Sequence, residues 1–385
     1  MFERVPLAWR NATSDLKRLR RAATGIGFAA VLILVQLGFL HAFLESALYV
    51  MRSLDGELVI LSPERYKFAQ HETFDRRRLY EAMGVPGVAS VAPLYLSSGT
   101  AQWRSPLTGE AHIIRVIATD PDNPAFILPN ATAPLSVLKA PNTVMADDHA
   151  RRFLGMTVPD LKTDLAGRGV RVVGTFSMGP DFITDGTLVM SDRNFFTFFN
   201  DANTPGLARD TVDYGVVKVK PGYSAAAVAA ALKADLPKDV TVLTKAQVVG
   251  LEIAYQNKLS PTGPIFSLGT AIGFLVGLLI TYQILYTEIS DRLHLFATLK
   301  AMGYGRRYLL RVIVEQSLFY GVAGFIPALL FSAVAFAGIR VWMLLPMEIT
   351  GSILATTFGL LLLMCTVAGL IAARRALTVD PAEVF

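Results

Sequence analysis

The sequence has very little cysteine, since Cys365 is the only one among 385 residues. A disulfide within the chain is therefore excluded, and no cysteine pair exists that could hold a structural zinc ion. Because Cys365 lies inside a long apolar segment, we expect a buried thiol without a chemical role.

Motifs of catalysis are also lacking. No G-x-x-x-x-G-K-[ST] segment occurs, which excludes ATP binding through a Walker A loop, and neither a G-x-S-x-G elbow nor an H-E-x-x-H motif is present. Asp147, Asp148 and His149 are adjacent and of metal-ligating types, but neighbours on a strand or helix point apart, so we expect a solvated loop there. Asp120 and Asp122 are typical of a turn. The sequence predicts no catalytic residue, no metal site and no cofactor on this chain.

Charged residues are sparse, at 17% against 52% hydrophobic residues, and the mean hydropathy is +0.44. This balance is too apolar for an ordinary soluble protein and too charged for a protein that is membrane throughout. Pro264–Tyr286 holds no charged side chain over about 23 residues, which is long enough to cross a bilayer core. We predict four transmembrane helices, at residues 22–47, 264–286, 313–339 and 353–373.

The basic residues predict the orientation of these helices. They cluster before the first helix, between the second and third, and after the fourth, whereas the turn 340–352 holds one arginine. By the positive-inside rule, residues 1–21, 287–312 and 374–385 are cytoplasmic. We expect residues 1–21 to form an amphipathic helix. The first apolar run exceeds the roughly 7–15 residues of a signal peptide, so we expect an uncleaved anchor.

Residues 48–263 are predicted to form a mixed α/β domain outside the cytoplasm, joined to the membrane by helical stalks. The turn residues of Ser105–Glu110 are typical of a hairpin. An alanine-rich helix is predicted at Ser224–Leu236, and Thr244 with Gln247 has the spacing of a capping box. The predicted strands are Glu57–Leu61, Ala101–Arg104, His112–Ala118, Val170–Phe176, Thr187–Met190, Gly215–Val219 and Val240–Leu243.

The loop after the second transmembrane helix is itself patterned. Its apolar residues fall on one helical face, which predicts an amphipathic helix over Glu288–Met302. Glu288 has the i,i+4 spacing to pair with Arg292, and Gly303 stands where a helix usually ends. Periodicity alone leaves open an ordinary interfacial helix without a partner.

The transmembrane segments contain two further features. Gly269, Gly273 and Gly277 repeat every four residues, a pattern that lets another helix approach closely. The approaching helix is either another span of this chain or the same span of a second copy. Glu315, near the cytoplasmic end of the third helix, either snorkels to the interface or contacts another helix.

Three segments carry a resemblance to a known family: GIGFAAVLILVQLGF at Gly25–Phe39, YQILYTEISDRLHLFATLKAMGY at Tyr282–Tyr304, and DPAEVF at Asp380–Phe385. They resemble the permease subunits of MacB/FtsX-type ABC transporters, and among these the DevC family of heterocyst-type exporters. Tyr282–Tyr304 is the most specific of the three. The outer domain resembles the family in size and position with weaker motifs, so the resemblance covers the chain unevenly.

The resemblance implies a MacB-like periplasmic core for residues 48–263 and a place in the bacterial inner membrane. The loop 287–312 would hold a coupling helix that docks on a separate ABC ATPase, and ATP and Mg²⁺ would bind to that partner. The residues implied in ATPase coupling are Glu288, Asp291, Arg292, Ala297, Thr298, Leu299, Lys300, Ala301, Met302 and Gly303.

The resemblance also implies the other partners. The chain would be a non-catalytic subunit, paired with a second copy as a homodimer, surrounded by membrane lipids and without a nucleic-acid partner. A periplasmic adaptor (a membrane fusion protein) and an outer-membrane channel of TolC type would complete a tripartite efflux path. The cargo would be a lipid, a glycolipid or another substrate.

Three alternatives stay open. An FtsX-like regulator would use the same motion to activate a cell-wall hydrolase, and a lipoprotein-releasing permease would move a different cargo. A membrane-anchored sensor or enzyme that works alone would need no ATPase, but it leaves the loop helix at Glu288–Met302 without an explanation.

Overall fold

The computed structural model describes residues 16–70, 72–97, 101–157, 161–199 and 210–378. Most of the predicted N-terminal helix and the DPAEVF segment lie outside these residues. The described residues form two compact units. One is a bundle of long helices, and the other, which we call the sheet domain, consists of Ala42–Pro261 with Arg340–Pro346.

The helices are numbered in chain order through the described residues. They are α1 (Leu16–Ala47), α2 (Tyr49–Ser53), α3 (Arg77–Met83), α4 (Asp192–Phe199), α5 (Ala225–Asp235), α6 (Lys245–Lys258), α7 (Thr262–Asp291), α8 (Leu293–Ala301), α9 (Arg306–Met343) and α10 (Gly351–Thr378).

Four of these helices, α1, α7, α9 and α10, are long and apolar enough to cross a membrane. The prediction of four transmembrane helices with an α/β domain between the first two is confirmed. The helices extend beyond the apolar segments, since α7 continues to Asp291 and α9 begins at Arg306. A helix pairs its own backbone groups, so it continues through charged residues until the backbone leaves the helical region.

The bundle has one apolar core, to which α1, α7, α8, α9 and α10 all contribute buried side chains. Cys365 of α10 is fully buried in this core, as the sequence predicts. The Ser317 hydroxyl of α9 donates a hydrogen bond of 2.9 Å to the Cys365 carbonyl. Close packing of α9 and α10 therefore includes a polar contact as well as apolar ones.

The strands of the sheet domain are short, as is usual for a mixed α/β domain. They are β1 (Leu58–Leu61), β2 (Phe74–Asp75), β3 (Val88–Ser97), β4 (Gln102–Arg104), β5 (Ala111–Ile113), β6 (Arg115–Thr119), β7 (Thr143–Asp147), β8 (Lys162–Leu165), β9 (Arg168–Phe176), β10 (Thr187–Ser191), β11 (Thr211–Val212), β12 (Tyr214–Val219) and β13 (Thr241–Thr244).

Eleven strands form one sheet in the order β13-β1-β12-β3-β6-β10-β7-β9-β8-β4-β5. The pairs β10–β6 and β7–β9 are parallel and the others are antiparallel. Every residue of β7 and β10 is buried. The apolar side chains of these strands alternate between two separate clusters, so each strand is covered on both faces. Strands buried on both faces read as continuous apolar runs rather than as an alternating pattern.

The predicted strands are found within one or two residues at each end, except that His112–Ala118 is divided between β5 and β6. The hairpin at Ser105–Glu110 joins β4 to β5. The capping box at the start of α6 is also confirmed, since the Thr244 hydroxyl accepts from the Gln247 amide at 3.2 Å and the Gln247 side chain accepts from the Thr244 amide at 2.9 Å.

Two expectations for this domain are wrong. The ten-residue strand β3 is missing from the predicted strands, and it contains Pro93, a residue that is unusual inside a sheet. Pro93 is tolerated because it lies just beyond the last pair between β3 and β6, which joins Leu94 to Thr119. The expected solvated loop at Asp147–His149 is also wrong for Asp147, which is the fully buried last residue of β7.

A buried ion pair joins the segment after β1 to the residue before β12. Arg65 Nη2 lies 2.7 Å from Asp213 Oδ1, and both side chains are 1% exposed. The Leu96 amide donates to the other Asp213 oxygen at 3.0 Å. The Arg65 guanidinium also lies 4.1 Å from the centroid of the Tyr214 ring. Charge, hydrogen bonds and an aromatic face together compensate for the loss of water around both ions.

Candidate functional site

The loop helix predicted over Glu288–Met302 is shorter than expected. Glu288 belongs to the last turn of α7, and α8 begins at Leu293. Between them Arg292 leaves the helical region, with φ −116° and ψ 22°. The loop is therefore a separate short helix rather than a continuation of the second transmembrane helix. The ion pair of Glu288 with Arg292 stays a prediction.

The end of α8 is formed by the glycine that the sequence indicates. Gly303 has φ +88°, in the left-handed region that favours glycine. Its amide donates to the Lys300 carbonyl at 3.1 Å, and the Tyr304 amide donates to the Leu299 carbonyl at 3.1 Å. These two bonds are those of a Schellman motif, which satisfies the last carbonyls of a helix.

One face of α8 packs into the bundle. Phe296 is buried in the same core as Ile289 of α7, Leu309 of α9 and Ala372 of α10. Ala297, one of the residues implied in ATPase coupling, is fully buried. It therefore holds α8 against the bundle and is not available for direct contact with a partner.

The opposite surface of the loop is open to solvent. Three large apolar side chains on it are exposed: Leu295 by 44%, Met302 by 62% and Tyr304 by 44%. Asp291, Ala301 and Gly303 of the predicted coupling set are exposed as well, whereas Arg292, Thr298, Leu299 and Lys300 are half-buried. We call Leu295, Met302 and Tyr304 the exposed loop surface. Exposed apolar side chains at a helix end are typical of a protein-binding surface.

Lys300 connects the loop to the fourth transmembrane helix. Its ammonium group donates a hydrogen bond of 3.2 Å to the Leu377 carbonyl, in the last turn of α10. A cation at this position also interacts favourably with the negative end of the helix dipole. Lys300 therefore positions α8 on α10, a role that its place in the sequence does not indicate.

Glu288 is buried between α7 and α9. Its side chain accepts a hydrogen bond of 2.9 Å from the Tyr320 hydroxyl, and the Gln316 amide donates to the same hydroxyl oxygen at 3.1 Å. Sequence analysis singled out neither Tyr320 nor Gln316. Their polar groups, one turn apart on an otherwise apolar helix, were the available signal.

The glycine pattern of α7 faces α1 of the same chain. A Cβ atom added at Gly269 would lie 2.6 Å from Gln36 Cδ. One at Gly277 would lie 2.5 Å from Ala29 Cβ of α1 and closer still to Met364 Sδ of α10, so this position also faces α10. At Gly273 the nearest atoms, in Leu32 and Ile33, would be 3.4 Å away. The glycine pattern thus allows close approach of helices within the chain, and its use by a second copy stays a prediction.

Two other polar groups from the sequence analysis have defined positions in the structure. Glu315 pairs with Arg311 of its own helix, Oε1 to Nε at 2.6 Å, on an exposed surface. Asp147, Asp148 and His149 do bring ligand atoms within 4.8 Å of one another. However, the Asp147 carboxylate already accepts from the amides of Met178, Gly179 and His149 at 2.7–3.0 Å. These hydrogen bonds from backbone amides indicate a structural carboxylate. Burial raises the pKa of Asp147 in spite of them.

Comparison with known proteins identifies both regions. Residues 22–235 match the family described as the MacB-like periplasmic core domain, and residues 267–381 match the FtsX-like permease C-terminal family. The fold is therefore that of a membrane permease subunit of an ABC transporter, a class whose members work with ABC ATPases. Because the first match covers more than half of the sequence, the chain belongs to the MacB-like periplasmic core domain family.

Solved structures with similarity to the chain include two extracytoplasmic domains. The periplasmic region of MacB from Actinobacillus actinomycetemcomitans has 11% identity and a TM-score of 0.36, over 51% of this chain and 93% of that one. The extracellular domain of the noncanonic ABC-type transporter YknZ from Gram-positive bacteria has 12% identity and a TM-score of 0.35, over 49% and 98%. A search of curated proteins gave no match.

Proposed function

We propose that this chain is the permease subunit of an ABC exporter in a bacterial inner membrane, and that α8 is the coupling helix on which a separate ATPase docks. ATP and Mg²⁺ bind to that ATPase. Closure of the ATPase pair displaces α8, and the bundle transmits the displacement to the sheet domain.

One observation carries this proposal, namely the two-sided environment of α8. Phe296 packs into the bundle core and Ala297 is fully buried, while Leu295 and Met302 are exposed. A helix whose inner face is fixed to several spans can transmit a force that a partner applies to its outer face.

The finer assignments follow from the resemblance of Tyr282–Tyr304 to the heterocyst-type exporters. We propose the DevC type of exporter, with the termini and the α7–α9 loop in the cytoplasm and two copies of the chain per transporter. A periplasmic adaptor and a TolC-type outer-membrane channel would carry the cargo onward. The proposed cargo is a lipid, a glycolipid or a related substrate.

Purification of the tagged full chain in mild detergent, followed by mass spectrometry of proteins and lipids, tests this function. We expect an ABC ATPase and a periplasmic adaptor to co-purify. Met302→Asp should reduce the yield of the ATPase, whereas Ile127→Asp is the matched control, because Ile127 lies in the sheet domain and is also 62% exposed. Recovery of a cell-wall hydrolase in place of the adaptor would favour the FtsX-like regulator. Equal ATPase recovery in both variants would exclude the exposed loop surface as the docking site of the ATPase.

A further inference from the structure

A buried polar cluster in the helical bundle joins α7 to α9. Glu288 is 4% exposed, Tyr320 1% and Gln316 5%. The Gln316 amide donates to the Tyr320 oxygen at 3.1 Å, and the Tyr320 hydroxyl donates to Glu288 Oε1 at 2.9 Å. A hydrogen bond to a buried carboxyl group is strong because little water competes for it.

The cluster stands directly before the break that separates α7 from α8. Arg292, where the backbone leaves the helical region, follows Glu288 by one turn. A displacement of α8 could be absorbed at this break by rotation about the Arg292 backbone. Whether the displacement reaches α7 and α9 therefore depends on contacts on the bundle side of the break.

Apolar contacts alone do not define a direction for that displacement. Phe296 and Leu309 belong to the apolar core, and the hydrophobic effect that favours their burial is non-directional. Hydrogen bonds, in contrast, are directional and require fixed positions of donor and acceptor. The Tyr320–Glu288 bond therefore restrains α7 relative to α9, while the Gln316–Tyr320 bond, within α9, orients the Tyr320 hydroxyl.

We propose that Glu288, Tyr320 and Gln316 form a clamp that makes α7 and α9 move as one body when α8 is displaced. Tyr320 is then a positioning residue for transmission between the ATPase and the sheet domain. The proposal rests on the proposed function, since it assumes that an ATPase acts on α8. It assigns to Tyr320 and Gln316 a role in coupling rather than in docking, since both are buried.

The test uses the full chain reconstituted in phospholipid vesicles with the ATPase that co-purifies with it. A fluorophore attached to the cysteine of Ile127→Cys reports the ATP-dependent response of the sheet domain. Labelling is specific because the native Cys365 is buried. Tyr320→Phe should keep ATPase binding and hydrolysis but lower the response about tenfold, because it removes the central hydrogen bond. Gln316→Leu should cause a smaller loss in the same direction.

Two further variants separate a clamp from a merely structural role. Glu288→Gln keeps a side-chain oxygen that can accept from Tyr320, so most of the response should remain. Tyr282→Phe is the matched control, because it removes a tyrosine hydroxyl from α7 at a residue whose ring contacts that of Tyr286. Thermal unfolding in detergent is measured for every variant, so that a loss of folding is distinguished from a loss of coupling.

The outcomes are distinct for the two levels of the proposal. If the parent chain shows no ATP-dependent response with its ATPase, the proposed function fails. If the parent responds, and if Tyr320→Phe and Gln316→Leu both respond with the same amplitude as the parent, the clamp is overturned. An equal loss in Glu288→Gln and Tyr320→Phe also overturns it, because the effect would then depend on charge rather than on the hydrogen bond.

Discussion

At the scale of single residues, the sheet domain contains ion pairs in two different environments. Arg65 and Asp213 are 1% exposed, whereas Lys218 and Asp55 are 46% and 26% exposed at an Nζ–Oδ2 distance of 2.6 Å. Water and salt screen the second pair, so its contribution to folding is small. The first pair is different because either ion left alone would remain buried without compensation.

Arg65→Met should therefore lower the free energy of unfolding by about 3–5 kcal/mol, because the Asp213 carboxylate would be left without its cation. Lys218→Met, the control, should change it by less than about 1 kcal/mol. Denaturant unfolding of the full chain in detergent, followed by tryptophan fluorescence, measures both. Similar losses in the two variants would contradict the distinction between buried and exposed pairs.

The buried carboxyl group of Asp147 predicts a pH dependence. Burial raises the pKa of Asp147 above its ordinary value, so the folded chain keeps a proton that the unfolded chain has already released. The contribution of Asp147 protonation to the free energy of unfolding is complete below the ordinary carboxyl pKa and is lost as pH rises through the raised pKa. Parent and Asp147→Asn chains should thus differ in the pH slope of their melting temperatures above about pH 4. Parallel slopes would show that Asp147 titrates normally.

At the scale of elements, the two ends of α8 have different origins. Gly303 ends the helix through its φ of +88°, and its place could be predicted because glycine is the residue that a helix end of this kind requires. Arg292, at the other end, is not a residue type that indicates a helix end. The apolar periodicity continues through it and therefore predicted one longer helix, Glu288–Met302. Local chemistry predicts a helix end only where the residue type is specific for it.

Two substitutions in α8 should uncouple the ATPase from the outer domain without preventing insertion. Leu299→Asp places a charge among the half-buried side chains of the loop, and Gly303→Pro is incompatible with a positive φ. We expect ATPase stimulation and export to fall in both, measured in vesicles against the parent chain. Unchanged values in both variants would count heavily against a coupling role for α8.

The packing of α7 on α1 predicts a graded response to glycine substitution. Gly277→Ala should destabilise the bundle by about 1–3 kcal/mol, because its Cβ would lie 2.5 Å from that of Ala29. Gly273→Ala should be tolerated better, since its nearest atoms are 3.4 Å away, whereas Gly273→Leu should disturb packing. Gly359→Ala is the control, with nothing within 4 Å. Melting temperatures in detergent that follow another order would contradict this packing.

A sequence pattern can indicate which face of a helix makes contacts, but it does not identify the segment that the face contacts, and this limits how much of the site could be predicted. The spacing of Gly269, Gly273 and Gly277 correctly indicates a face that needs close approach, but it cannot identify α1 as the helix that approaches. Likewise, Glu288 was noted as a charge, but its pairing with Tyr320 depends on the packing of α7 against α9. Contacts between distant segments are decided by tertiary packing, which local periodicity does not contain.

At the scale of the whole molecule, the described helices and the distribution of basic residues together define a test of orientation. An odd number of membrane crossings separates the sheet domain from the loop at α8, because only α7 lies between them. With the loop in the cytoplasm, the sheet domain must be outside. Since Cys365 is buried, introduced cysteines can be labelled in the otherwise unchanged sequence.

We expect Thr298→Cys to react with a membrane-impermeant maleimide only in inside-out vesicles. Ile127→Cys, which is exposed on the sheet domain, should react only in intact cells whose outer membrane has been made permeable. Labelling of Thr298→Cys from the outside would reverse the orientation and remove the basis for ATPase docking at α8.

The two-sided environment of α8 has a consequence for the evolution of such transporters. Phe296 and Lys300 hold the segment to the bundle, whereas Leu295 and Met302 are exposed and make no contribution to its core. Substitutions on the solvent side can therefore accumulate without repacking the interior. A permease of this kind could exchange one energy-supplying subunit for another through a few surface changes, while the machinery that moves its outer domain is inherited intact.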